Sequence, residues 1–275
     1  MLRQRKEEGH VKNKYSILII GCGAQGISAD MPGSGNENKI ISFANAFKKH
    51  KNTNEIIFYD IDIEKAKEAA TIWDGIFTCD LELALKFADI VIIATPDNKH
   101  YELLKKSAEY DLKLVICEKP ICEDLKQARE IVELYKRKDI PLTINYTRRF
   151  LPHYDKLKQY GKPVYATCAF NRGWLHTGTH AIDFFNMLSA NNYRMIEMPT
   201  EAYRIWDLKV YYKDYVFSEI RFNDMEVWDY CNNATWHLVE NAYNFLKGKE
   251  ELKCTGEDGL KALEICYELM KERIK

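Results

Sequence analysis

The strongest constraint on the fold lies near the start of the chain. Tyr15–Ile20 (YSILII) is a short unbroken apolar run, and Gly21-Cys22-Gly23-Ala24-Gln25-Gly26 follows it without a spacer. A run of that length with no polar alternation suits a strand covered on both faces, as in a parallel sheet. Parallel neighbours need a crossover between them, usually a helix, and the rest of the first half has that rhythm. Residues 38–50 place Ile40, Ile41, Ala44 and Phe47 at helical spacing, and 55–59 (EIIFY) is the next strand. Helical stretches at 63–73, 80–87, 98–110 and 123–138 then alternate with strands at 76–78, 89–94, 112–117 and 142–145. Such alternation predicts an α/β fold on a doubly wound parallel sheet.

After about residue 150 the rhythm changes. Strand-like segments at 163–171, 203–212 and 215–223, with helices at 178–189, 233–247 and 257–273, predict a second domain of α+β type. The expected organisation is a polar arm over 1–14, a nucleotide-binding domain over 15–147 and a substrate and oligomerisation domain over 148–275. A chain of 275 residues with 46% hydrophobic residues has material for real cores. Its net charge of −1 supplies no basic field for nucleic acid or an anionic membrane. No apolar run approaches the roughly 20 residues of a membrane span, and no apolar leader opens the chain. The eight cysteines form no CxxC pair, which argues against a zinc ribbon and fits reduced thiols in a cytoplasmic protein.

The hexad 21–26 matches GxGxxG directly after a strand, the context in which that pattern has physical meaning. Gly21 permits a tight turn, Gly23 lets a pyrophosphate approach the backbone, and Gly26 allows close packing of helix on strand. Ala24 and Gln25 complete the turn, whose N–H groups would face the phosphates at a positive helix end. Asp60 ends the second strand, where a carboxylate can bind ribose hydroxyls. It comes far later than the usual spacing of roughly 20 residues, which an insertion over 28–36 (SADMPGSGN) explains. With Asp62 nearby and no arginine to receive a 2′-phosphate, the expected cofactor is NAD rather than NADP.

Two further segments have chemistry in them. Cys117-Glu118-Lys119-Pro120 ends a core strand, where ligands of such sheets bind, and a lysine there can polarise a hydroxyl or carbonyl oxygen. In Gly173–Asp183 (GWLHTGTHAID), His180 and Asp183 share one helix face, and His176 precedes the helix and reaches the same place. A histidine can move a proton near neutral pH. Without HExxH or a third ligand, no metal is expected.

Taken in order after GCGAQG, the segments ATPDNKHY (94–101), CEKP (117–120), NYTRRF (145–150), GTHAIDFF (178–185) and TGEDGLKALE (255–264) resemble the glucose–fructose oxidoreductase / inositol dehydrogenase / rhizopine catabolism family, Gfo/Idh/MocA. The resemblance spans residues 15 to about 273. It implies a Rossmann domain followed by an open, mainly antiparallel sheet, and hydride transfer between nicotinamide and a carbon of a sugar, cyclitol or nucleotide-sugar. It implies that Lys119 contacts the reacting oxygen and that His180 is the acid/base. Thr95, Pro96, His100 and Glu118 would line the cofactor, and Arg149 the substrate site. Asn171, Arg172, Trp174 and His176 are the other substrate-lining candidates. A homo-oligomer, dimer or tetramer, is expected.

Two departures stand out. His176 occupies the position, four before His180, at which many members have an aspartate. The chain is also short for the family, within 190–230. Two alternatives stay open: a non-catalytic NAD-binding regulatory protein, and a reductase of a planar, non-sugar substrate lodged among Tyr146, Trp174, Trp206 and Trp228.

Overall fold

The computed structural model describes residues 14–200, 204–221 and 233–272. Apart from Lys14, the expected arm lies outside them, as do Trp228 and the outer ends of the strands expected at 203–212 and 215–223. Strands β1 (Tyr15–Ile20), β2 (Thr53–Tyr59), β3 (Ile76–Phe77), β4 (Ile90–Ile93), β5 (Leu114–Cys117) and β6 (Leu142–Ile144) form one parallel sheet in the order β3-β2-β1-β4-β5-β6. Every residue of β1, β4 and β5 is buried, which is why these strands read as apolar runs. Helices α2 (Ile63–Trp73), α3 (Leu81–Phe87) and α5 (Leu125–Lys138) each start on an aspartate, Asp62, Asp80 and Asp124, whose side chain accepts a first-turn N–H. Helix α4 (His100–Ser107) follows a single 3₁₀ turn.

The first crossover departs from expectation. Instead of a helix over 38–50, α1 spans Phe43–Lys49, and Ile40 and Ile41 precede it. The cause is Asp30, a buried carboxylate that accepts from the N–H groups of Ile41 and Ser42 and from the Asn45 amide. Those bonds hold residues 41–42 out of the helix, and the Ser42 hydroxyl then caps it. The glycine hexad likewise opens into one π-helical turn, Ala24–Ser28, rather than a regular helix.

The second sheet consists of β7 (Tyr165–Phe170), β8 (Tyr193–Glu197), β9 (Trp206–Tyr211) and β10 (Val216–Arg221), ordered β10-β9-β7-β8. Its β10/β9 and β9/β7 pairs are antiparallel and its β7/β8 pair is parallel. Strand β8 was not expected. It is an edge strand with alternating half-buried and exposed residues, so it lacks an apolar run. The short helix α6 (Pro152–Asp155) and α7 (Thr179–Met187) pack on the inner face, with Phe184 against Tyr154 and Phe217 and Phe185 against Tyr193. Helices α8 (Ala234–Leu246) and α9 (Gly256–Glu272) return to the first sheet. Tyr243 of α8 packs on Tyr15, Phe47 and His50, while Gly256 and Gly259 seat α9 on Leu142 and Ile144.

Candidate active site

The strand order reverses between β1 and β4, which opens a crevice at their carboxyl ends. Gly21 turns the chain there with φ +97°, and a Cβ on it would meet the Ala94 carbonyl oxygen at 2.6 Å. A Cβ on Gly26 would run into the Gly21 carbonyl. Above Gly23 the space is open to 4 Å, and Gly23 and Ala24 are exposed. The N–H groups of Gly23, Ala24, Gln25 and Gly26 meet no acceptor among the described residues. Asp60 braces this turn: its carboxylate accepts from Cys22 N–H at 2.8 Å and from Asp62 N–H at 2.9 Å. Ile61, next to it, is 94% exposed, an apolar side chain with nothing over it. The Thr95 hydroxyl after β4 is buried with no hydrogen-bond partner among the described residues. Free backbone donors, a carboxylate and an uncovered apolar side chain together fit a dinucleotide, whose pyrophosphate, ribose and adenine need those three things.

His100 corrects the sequence reading. It is fully buried, and its ring nitrogens face the Pro120 and Thr95 carbonyls at 2.7 and 3.0 Å. It therefore stands behind the cofactor crevice and ties its two loops together, while Pro96 is exposed at the rim. Glu118 accepts from the Asn145 amide at 2.7 Å, and burial raises its carboxyl against that hydrogen bond.

Lys119 lies at the end of β5, before a cis Lys119–Pro120 bond. Its ammonium is 3.2 Å from Nδ1 of His176 and donates to the His176 carbonyl at 3.1 Å. His176 comes from the π turn Trp174–Gly178, which leads into α7. Asp97, on the loop after β4, brings a carboxylate oxygen to 3.9 Å from the same Nδ1. At the second position of α7, His180 lies edge-on to buried Tyr146 at 5.7 Å. Burial, then the charges of Lys119, Arg148, His176 and Arg204, hold the His180 imidazole well below its ordinary range. Burial also lowers the Lys119 ammonium, while Glu118 and Asp97 favour its charged form. Among the described residues, no group of His, Cys, Asp and Glu side chains could hold a metal ion.

Residues 16–146 match the family described as "Oxidoreductase family, NAD-binding Rossmann fold". Through that domain, just under half of its length, the chain is similar to the Gfo/Idh/MocA oxidoreductase family. Inositol 2-dehydrogenase 4 of Saccharopolyspora erythraea is 32% identical over 123 residues, 40% of this chain and 35% of that protein. The chain thus matches about a third of that curated relative's length. Across nearly the whole chain the likeness is one of fold. UDP-N-acetylglucosamine 3-dehydrogenase GnnA of Acidithiobacillus ferrooxidans superposes with a TM-score of 0.72 at 14% identity, covering 93% of this chain and 96% of its own. GenD2 from gentamicin A biosynthesis, solved in complex with NAD, gives 0.71 at 13% identity, covering 96% and 95%.

Several of the substrate-lining candidates are engaged elsewhere. Arg149 is held by other partners: its guanidinium grips buried Asp183 at 2.9–3.0 Å, reaches Asp258 at 3.0 Å and donates to the Lys253 carbonyl. Asn171 is buried, with its amide tied to the Thr200 carbonyl and the Ile205 N–H. Trp174 is buried edge-on against Phe170 at 5.0 Å, and Arg172 is exposed with φ +67°. Arg148, whose charge with that of Arg204 bears on His180, lies 4.0 Å over the Trp206 ring and pairs with buried Glu219. Sequence reasoning passed over Arg148, Arg204 and Asp97. Asp97 was within reach, since it stands inside the ATPDNKHY segment already singled out.

Proposed function

We propose that this chain is an NAD(H)-dependent oxidoreductase that interconverts a secondary alcohol and a ketone on a sugar, cyclitol or nucleotide-sugar. In this reading residues 15–147 hold the nucleotide and 148–275 cover the substrate. The observation that carries it is the meeting of Lys119, at a strand end of the nucleotide-binding sheet, with His176 of the second domain, one helical turn from His180. Bound nicotinamide would supply the hydride acceptor or donor. His180, kept neutral by burial and its cationic neighbours, takes the hydroxyl proton during oxidation and returns it during reduction. Lys119 donates a hydrogen bond to the substrate oxygen and stabilises it as negative charge develops.

NAD is favoured over NADP because a carboxylate at Asp60, the end of the second strand, would bind ribose hydroxyls and repel a 2′-phosphate. Lys65 of α2 also acts on Cys22 in the glycine turn, so NADPH belongs in the same comparison. The outer face of the second sheet supports a homo-oligomer. There Val216 pairs with Tyr211 and Tyr211 with Tyr165, while Ile220 and Ile196 sit a few residues along the same face, 46% and 39% exposed. The cysteines described are all unpaired, which fits a reducing cytoplasm. The test is a fluorescence titration with NADH and NADPH of the wild type and Asp60→Ala, followed by a turnover screen over sugars and cyclitols. NADH binding that weakens at least about tenfold in Asp60→Ala, the loss of one or two charge-assisted hydrogen bonds, is the expected result. Folded protein that binds neither cofactor would end the oxidoreductase reading.

A further inference from the structure

We propose that a pocket between α6, α7 and α9, apart from the Lys119–His176 crevice, binds a phosphate group, free or carried by a small molecule. The pocket encloses about 200 Å³. One water needs only about 10–15 Å³, so the space takes a small molecule and not merely an ion. Its wall joins Asp155 at the end of α6, Lys158 in the 3₁₀ turn that follows, Asn186 in the last turn of α7, and Asp258 and Lys261 of α9, together with Arg149 and Lys253. Lys119, His176 and His180 are not in this wall. Asn186 lies six residues beyond His180, about 9 Å along α7.

The charges of the wall decide what it can hold. Each oxygen of its two carboxylates already has a donor. Asp155 takes Lys158 on one oxygen at 3.0 Å and Lys253 on the other at 3.1 Å. Asp258 accepts the Thr255 N–H and hydroxyl on one oxygen and faces Arg149 on the other. Arg149 is shared in turn with Asp183, a buried carboxylate outside the wall. Lys261 is exposed and meets no acceptor among the described residues. Three ammonium groups thus face the one carboxylate of Asp155. Their excess of two positive charges matches the roughly −1.5 to −2 that a phosphate ester carries near neutral pH.

Donors are in surplus as well. A lysine ammonium has three N–H donors. Lys158 and Lys253 each spend one on Asp155, and Lys261 spends none. The Asn186 amide nitrogen is buried with no hydrogen-bond partner among the described residues, a further unspent donor in the same wall. The wall includes the last turn of α7 and the first turn of α9, whose dipole ends carry opposite sign. Those contributions oppose each other and leave the side chains to decide. A ligand for this wall brings negative charge and several acceptor oxygens, which a phosphate does and a neutral sugar or a metal cation does not.

The test is isothermal titration of the full-length protein with inorganic phosphate and with glucose 6-phosphate at constant ionic strength, in wild type, Lys261→Glu, Lys261→Arg and Gly23→Ala. Lys261→Glu should weaken binding at least about tenfold, the loss of one charge-assisted hydrogen bond. Lys261→Arg and Gly23→Ala should bind as wild type does. Acetylation with trace acetic anhydride, read by mass spectrometry, locates the site. Bound phosphate should slow acetylation of Lys158, Lys253 and Lys261 and leave exposed Lys86 of α3 unchanged. Equal affinity for the two probes assigns the site to free phosphate, and tighter binding of glucose 6-phosphate assigns it to a phosphorylated small molecule. Absence of binding would overturn the proposal. So would binding that persists in Lys261→Glu and is lost in Gly23→Ala, which would put the phosphate on the glycine turn.

Discussion

Arg149→Leu separates a structural arginine from a substrate-binding one. In the wild type, Arg149 supplies the cation facing Asp183, a carboxylate 1% exposed. Removing one partner of such a buried pair costs about 3–5 kcal/mol, because the other charge is left in a poorly polarisable interior. At about 2–4 °C per kcal/mol for a chain of this size, melting should fall by roughly 10 °C near neutral pH.

The loss should also depend on pH, with a definite sign. Burial pushes the Asp183 carboxyl up to about 6 despite the pull of Arg149. A folded value above the ordinary carboxylate range means that the folded state holds this proton more tightly than the unfolded chain. The ionised group therefore costs stability as pH rises through that window, and the full cost is present at neutral pH. Without Arg149 the folded value rises further and the cost grows. By about pH 5 Asp183 is mostly protonated in both proteins, so the gap between them should narrow. Urea unfolding of wild type and variant at both pH values measures it, and NADH affinity of folded Arg149→Leu should match wild type. Equal losses at the two pH values would show that Asp183 is not the responsible group. An unchanged stability with lost turnover would return Arg149 to the substrate cleft.

Three further predictions concern the glycine turn and His180. Gly23→Ala places its methyl in open space at an ordinary φ of −88°, so melting should hold while NADH affinity falls at least about tenfold, an effect of about 1.4 kcal/mol. Gly26→Ala, whose methyl collides with the Gly21 carbonyl, should instead lower stability, read by the same melting curves. On any alcohol the protein turns over, His180→Ala should lower kcat by about 10²–10⁴ with NADH affinity retained, and an unchanged kcat would remove His180 from the acid/base role.

Much of the first domain was legible in the sequence because its determinants are local. An apolar run buried on both faces, a glycine turn at its end and aspartate caps before α2, α3 and α5 all act within a few residues. What escaped the sequence depends on partners far along the chain. The start of α1 is set by Asp30, which reaches forward to Ile41, Ser42 and Asn45. The edge strand β8 exists because β7 offers it a parallel ladder, not because its own residues form an apolar run. Arg148 and Arg149 are adjacent and chemically identical. Only the fold sends one toward Trp206 and Glu219 and the other toward Asp183 and Asp258.

His100 shows why motif residues need not touch the ligand whose motif they mark. Its ring spans the carbonyls of Thr95 and Pro120, which lie two residues before Asp97 and one after Lys119. The loops after β4 and β5 are thus pinned to a common buried post. Asp97 and Lys119 extend from either side of it to the same nitrogen of His176. A side chain can hold two groups at fixed separation only if it is itself immobile, and complete burial between two backbone carbonyls meets that condition. The sequence pattern therefore records His100 beside the site, while its physical role is to set the distance between the loops that carry Asp97 and Lys119.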